Sequence, residues 1–271
     1  MESKTKLPMI KLVGIPFDSN SSFLRGSFLG PARIRLMEKD GSSNAFTENE
    51  IEIKEGLNYI DAGDLTFEDT NSEKAFYNIK NKISALLKDK SKILSIGGDH
   101  SISYPIITAF AEIYKDLNIL QLDAHGDLYD NFDNNPYSHA SPFARIMEMN
   151  KINSLTQVGI RALTPHQRIQ SKRFGIDVID MKDFSDSFIK RLKSPLYISL
   201  DIDVLDPAFA PGVSHHEPGG MTSRQLLNII QNIDATIVGA DIVEFNPIRD
   251  INNMTAMVGY KLMKELIAKM V

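Results

Sequence analysis

The stretch LQLDAHGDLY (residues 120–129) sets Asp123, His125 and Asp127 at alternate positions directly after the apolar run NILQL (118–122). Alternate side chains of an extended segment point to one side, so these three can converge just where a core strand ends. The arrangement recurs along the chain. ILSIGGDHS (93–101) puts His100 after a second apolar run, YISLDIDVLDP (197–207) puts Asp201, Asp203 and Asp206 after a third, and VGADIVEFNP (238–247) puts Asp241 and Glu244 after a fourth. Strand ends that each finish in acid or imidazole crowd like charges on one rim of a sheet, and a positive partner is required to hold them there.

Amphipathic segments lie between these runs. GPARIRLMEK (30–39) has a proline where the first turn of a helix accepts one. NSEKAFYNIKNKISALLKDK (71–90) repeats its apolar residues near a 3.6 period, and PIITAFAEIYKD (105–116), PHQRIQSKRFG (165–175), TSRQLLNIIQNI (222–233) and NNMTAMVGYKLMKELIAKM (252–270) add further helices. MIKLVGIPF (9–17), LTQVGIRA (155–162) and IDVIDM (176–181) read as strands, and residues 41–59 as polar surface loop with a short strand at IEI (51–53). Strand and helix in alternation predict an α/β protein: a three-layer α-β-α arrangement with a mostly parallel central sheet, in one domain over residues 1–271. In such sheets ligands bind beyond the carboxyl ends of the strands, where strand order reverses.

Composition narrows the chemistry. The chain has 30 basic and 35 acidic residues, a net charge of -5, spread without blocks, which argues against a nucleic-acid partner. It has no cysteine, so any metal would sit on oxygen and imidazole nitrogen. No long apolar run occurs and MESKTKLPMIKLVGI carries no apolar leader core, so the sequence predicts a cytoplasmic protein with no membrane span.

A lone DxH or DxD at a strand end usually closes a turn or caps a helix. Three clusters in the same context do not follow from capping alone. A divalent ion takes about four to six ligands, whereas this rim offers at least four carboxylates and two imidazoles. The surplus favours two ions about 3.5–4 Å apart that share carboxylates. Thiolate-free donors suit Mn²⁺, with Zn²⁺, Co²⁺, Ni²⁺ and Fe²⁺ also admitted.

GGDHS (97–101), DAHGD (123–127), SLDIDVLDP (199–207) and DIVEFNP (241–247) resemble the signature segments of the ureohydrolase family, which contains arginases, agmatinases, guanidinobutyrases and formiminoglutamases. GIPFDSNSSFLRGSFLGPARIR (14–35) looks most like the agmatinase branch. The resemblance implies an arginase/deacetylase-like fold and two Mn²⁺ per subunit, one on His100, Asp123, Asp127 and Asp201, the other on Asp123, His125, Asp201 and Asp203. It implies His139, in SHASPF (138–143), as the proton-transfer group and Glu244 as the carboxylate that binds a guanidinium. The implied reaction cleaves a guanidino compound to urea and an amine, with agmatine to putrescine as the first expectation. Guanidinobutyrase, arginase or formiminoglutamase activity on the same metal site is the alternative. The family's habit of forming trimers or hexamers implies a homo-oligomer whose other partner is a small guanidino substrate.

Two segments bear on substrate choice. DLYDNFDNNPYSHASPF (127–143) and VGIRALTPHQR (158–168) depart from the segments by which arginases are expected to hold an amino-acid head group, which favours a substrate without one and makes Asp130 and Asp133 candidate partners of a distal ammonium. PGVSHHEPGG (211–220) and Ala140 depart from the agmatinase pattern, so His215 and His216 are candidates to border the pocket. Asp206 is expected to shape its loop, Asp241 to support a ligand imidazole, and His166 to be solvated, while Arg25 and Arg161 have no assigned role.

Overall fold

Each apolar run becomes a strand of one sheet. The computed structural model describes residues 10–41 and 43–271. The strands are β1 (Ile10–Ile15), β2 (Tyr59–Asp64), β3 (Lys92–Gly97), β4 (Asn118–Leu122), β5 (Ser154–Ile160), β6 (Asp177–Asp180), β7 (Leu196–Asp201) and β8 (Ile237–Val243). The helices are α1 (Gly30–Lys39), α2 (Ser72–Leu87), α3 (Ser103–Ile113), α4 (Pro142–Glu148), α5 (Pro165–Arg173), α6 (Ser223–Asn232) and α7 (Met254–Met270). Strand order is β2-β1-β3-β8-β7-β4-β5-β6 and every pairing is parallel.

Side-chain alternation divides the core into two layers. Leu94, Ile96, Leu120, Ile198 and Leu200 pack with α1, α6 and α7 on one face. Ile93, Ile119 and Tyr197, their neighbours in the chain, pack with α2, α3 and α4 on the other. Because both faces are covered, β4, β7 and β8 are buried along their whole length, and their sequences read as continuous apolar runs rather than alternating ones.

The sheet order sets the site. β3, β8, β7 and β4 are consecutive neighbours, and they are the four strands that end in acid or imidazole. Gly98 lets the segment after β1 join them. Its amide donates to Ile15 O and the Asp99 amide to Phe17 O, both at 3.0 Å, and a Cβ at Gly98 would overlap the Phe17 backbone.

Three local expectations are corrected. IEI forms only an isolated bridge, Phe46 to Glu52, rather than a strand. β2 was not foreseen: YIDAGD is a polar edge strand with one partner, so no apolar pattern marks it. Asp241 lies inside β8 rather than after it. Residues 1–9, where the absence of a leader was read, lie outside the described residues.

Candidate metal centre

The acids at the strand ends both turn the chain and face inward. Asp123 Oδ1 accepts the His125 amide at 2.6 Å and Asp201 Oδ1 accepts the Asp203 amide at 2.8 Å, each closing a turn two residues on. The second oxygen of each lies toward a common centre. His100 Nδ1 is 3.1 Å from Asp123 Oδ2, 3.0 Å from Asp127 Oδ2 and 3.3 Å from Asp201 Oδ2. His125 Nδ1 is 3.0 Å from Asp203 Oδ2. Turn closure and inward-facing charge, which the sequence set against each other, are two uses of one carboxylate.

Two groups of donors converge among the described residues: His100, Asp123 and Asp127, and Asp123, His125 and Asp203, the atoms of each within 4.8 Å of one another. Asp123 belongs to both. His100 Nδ1 is buried, yet despite three carboxylates close by it makes no hydrogen bond of good geometry. Such atoms are aimed at a shared point rather than at each other, as a cation would require. Oxygen and imidazole donors without sulfur fit a hard or borderline divalent metal.

Electrostatics support the same reading. Burial opposes charge on His100, but the carboxylates of Asp123, Asp127 and Asp201 outweigh it and hold the imidazole well above its ordinary pKa. Burial and the neighbouring Asp123 charge push Asp127 up to about 6. Burial, with Asp203 and Asp123 beside it, raises Asp201 well above the carboxylate range. Burial would raise Asp123 too, yet His100 and His125 pull it below that range. A cage that draws protons in this way supplies an attractive potential for a doubly charged ion.

Beside this centre lies a cavity of about 210 Å³, lined by His125, Asp127, His139, His215, Glu217 and Glu244 among others. Glu244 has φ 64°, a left-handed backbone that few non-glycine residues adopt. Its Oε1 accepts the His100 amide at 2.8 Å and meets His139 Nδ1 at 2.8 Å. Burial lowers the affinity of His139 for a proton, but the Glu244 charge reverses this and pushes its pKa up to about 9. Glu244 is correspondingly lowered by His139 against the opposing effect of burial.

The structure also sorts the remaining candidates. His215 lines the cavity, its ring 5.2 Å from His139 and 6.0 Å from His125 between centroids. His216 is exposed and bonds to Pro211 O. Asp130 and Asp133 are exposed and do not line the cavity; Asp130 instead meets His166, which stacks on Tyr129. Asp206 accepts three backbone amides of its own loop. Arg25 pairs with buried Asp18, and Arg161 donates to five backbone carbonyls, those of Gly159, Asp203, Val204, Leu205 and Glu217. The sequence reading passed over Ser22 and Glu217, both in the lining. Both stood in quoted segments, 211–220 and 14–35, but neither an isolated glutamate nor a loop serine marks a pocket by its residue type.

The sequence profile of the Arginase family matches residues 9–268. The chain belongs to the arginase family. It is a ureohydrolase, cleaving a guanidino group at a binuclear metal site on a three-layer fold of the arginase/deacetylase kind. It is similar to arginase 1, mitochondrial, of Arabidopsis thaliana, at 45% identity over 95% of this chain and 80% of that protein. The solved structure of arginase from Medicago truncatula superposes with a TM-score of 0.92 at 41% identity, over 97% of this chain and 87% of that one. Similarity to the agmatinase of Bacillus anthracis is lower, 32% identity over 95% of this chain and 90% of that protein.

These relations overturn two expectations. Placement in the agmatinase branch, which rested on residues 14–35, fails, because over the chain as a whole the similarity is higher to an arginase, 45% identity, than to an agmatinase, 32%. The cytoplasmic expectation is withdrawn as well: it rested on the absence of a leader-like segment, and the arginases of Arabidopsis thaliana, Oryza sativa and Medicago truncatula that the chain matches bear mitochondrial names. Among the described residues no helix is long and apolar enough to cross a membrane.

Proposed function

We propose that this ureohydrolase hydrolyses arginine to urea and ornithine. The observation that carries the substrate is the 45% identity to an arginase against 32% to an agmatinase, over the same 95% of the chain. We take residues 1–271 as one ureohydrolase domain that works as a homo-oligomer. Exposed Ile248, Ile251 and Met254 beside exposed Phe28 and Leu29, on segments joined by Arg33 and Asn253 at 3.3 Å, support an apolar subunit contact.

His100, Asp123, Asp127 and Asp201 would hold one divalent cation, and Asp123, His125, Asp201 and Asp203 the other; the donor chemistry suits Mn²⁺. When bound, such ions lower the pKa of water and neutralise negative charge that develops on attack at the guanidinium carbon.

The chain's own residues do the rest. Both contacts of Glu244 fall on Oε1, so its Oε2 is left for charge-assisted bonds to the substrate guanidinium. The Glu244 charge favours a proton on His139, and from Nδ1, beside that guanidinium, His139 can give a proton to the departing amine. Among the described residues no lysine or arginine lines the cavity, so the substrate carboxylate would meet uncharged donors such as Tyr129 and Gln167.

The test is urea release from the Mn²⁺-loaded protein with arginine, agmatine, guanidinobutyrate and formiminoglutamate in parallel. Arginine is expected to give the highest kcat/KM. Preference for another guanidino compound would move the substrate assignment, and turnover of none would overturn the hydrolase reading.

A further inference from the structure

Ser22 lies in the loop between β1 and α1 and is exposed, whereas His139 is only 8% exposed. Two atoms of Ser22 meet one atom of His139. The Ser22 amide nitrogen is 3.1 Å and its Oγ 2.8 Å from Nε2. The other ring nitrogen, Nδ1, faces Glu244. Charged and titratable groups face the ring from four elements: Glu244 after β8, His215 after β7, and Asp99 after β3 and Asp127 after β4, these last two acting through charge. Among the described residues only Ser22 bonds to Nε2.

The two contacts have complementary chemistry. An amide N–H only donates, so it suits the neutral ring whose proton is on Nδ1 and whose Nε2 presents a lone pair. A hydroxyl oxygen accepts, so it suits a ring with a proton on Nε2. That ring is either the imidazolium or the neutral tautomer left after Nδ1 gives its proton away. Each state of Nε2 therefore finds one partner on Ser22 without the imidazole turning, the lone pair taking the amide N–H and the proton going to Oγ, although a proton on Nε2 also faces the amide N–H, a contact that opposes it.

We propose that Ser22 is a positioning residue, which keeps His139 in one orientation while Nδ1 gives up and regains a proton. This rests on His139 as the proton carrier in the reading above. Ser22 touches the His139 ring, and its effect on turnover passes through His139.

The experiment compares wild type, Ser22→Ala and Ser22→Thr by two readouts. One is the pH profile of arginine hydrolysis by the Mn²⁺-loaded protein. The other is ¹⁵N NMR of the histidine rings in the full chain loaded with diamagnetic Zn²⁺. Ser22→Ala removes the acceptor for Nε2–H, so kcat is expected to fall about tenfold with KM little changed. The alkaline limb of kcat and the NMR midpoint of His139 both move to lower pH, since the imidazolium loses its partner. Ser22→Thr restores both. Unchanged kcat, limb and midpoint in Ser22→Ala would overturn the proposal, as would a Ser22→Thr variant no better than Ser22→Ala, which would assign the loss to packing. A wild-type protein inactive on every guanidino compound would sink the hydrolase reading, while the NMR midpoints would still decide whether Ser22 and His139 are paired.

Discussion

Among the described residues, Asp241 reaches His100 through Ser199. The Ser199 hydroxyl donates to Asp241 Oδ1 at 2.8 Å and stands 2.9 Å from His100 Nε2. A hydroxyl has one proton, so with that proton on Asp241 the oxygen accepts from Nε2–H, and Nδ1 keeps its lone pair toward Asp123, Asp127 and Asp201. Tyr197 OH and Ser103 Oγ hold Asp241 Oδ2 at 2.8 and 2.9 Å, so the acceptor is itself fixed. Ser199→Ala frees the imidazole to adopt the other tautomer, and metal affinity is expected to fall about 10–100-fold. Titration of the metal-free protein with Mn²⁺ measures this, and an unchanged Kd would show that Ser199 does not set the tautomer.

Asp123 is shared by the two donor groups, whereas Asp203 belongs to one. Removing charge at these positions should therefore have unequal effects. Asp203→Asn is expected to leave about one ion per subunit and Asp123→Asn fewer than one, each with activity reduced at least about a hundredfold. Elemental analysis after dialysis gives the counts. Two ions retained in both variants would contradict the two-cation arrangement.

The legibility of the site follows from its chemistry. The convergence of Asp123, His125 and Asp127 could be read because alternate residues of an extended segment face one side, and an apolar run before them marks the strand. The order of the central strands was not legible. Nothing local in KILSIG says that β8, rather than β4, lies beside it, and that adjacency is what brings Glu244 to His100. Strand β2 escaped because an edge strand with one partner does not need an apolar face. Ser22 escaped for a related reason: its role depends on a close approach between loops 117 positions apart, and a serine in a loop looks the same whether or not a histidine faces it. Branch placement failed because it rested on the short segment 14–35, whereas similarity over 95% of the chain is higher to an arginase than to an agmatinase.

Glu244 offers a test of substrate binding separate from the metals. Its carboxylate is buried and takes its two protein contacts through Oε1, so Glu244→Gln removes charge while preserving shape. The charge-assisted bond to the guanidinium is worth about 2–3 kcal/mol, which predicts a fall of roughly 30- to 150-fold in kcat/KM for arginine. Two ions per subunit should remain. Equal kcat/KM in wild type and variant would remove Glu244 from the substrate pose, and loss of metal would make it part of the cage instead.

The same carboxylate makes stability depend on pH in a direction that can be worked out. His139 is raised from an ordinary value near 6.5 to about 9 by Glu244, so its favourable interaction is fully present below about pH 6.5 and disappears as pH rises through about 9. Glu244 is lowered, so its share is present above its ordinary value and disappears as pH falls through the depressed one. Other imidazoles of the cage titrate too, and comparison with Glu244→Gln separates them from this pair. In chelated protein, the stability gap between wild type and Glu244→Gln should be larger at about pH 6.5 than at about pH 10, by at most about 3 kcal/mol. Urea unfolding at the two pH values measures the gap. If it stayed constant, His139 and Glu244 would share a neutral hydrogen bond in the folded chain, and His139 would have to draw the proton it donates from another source.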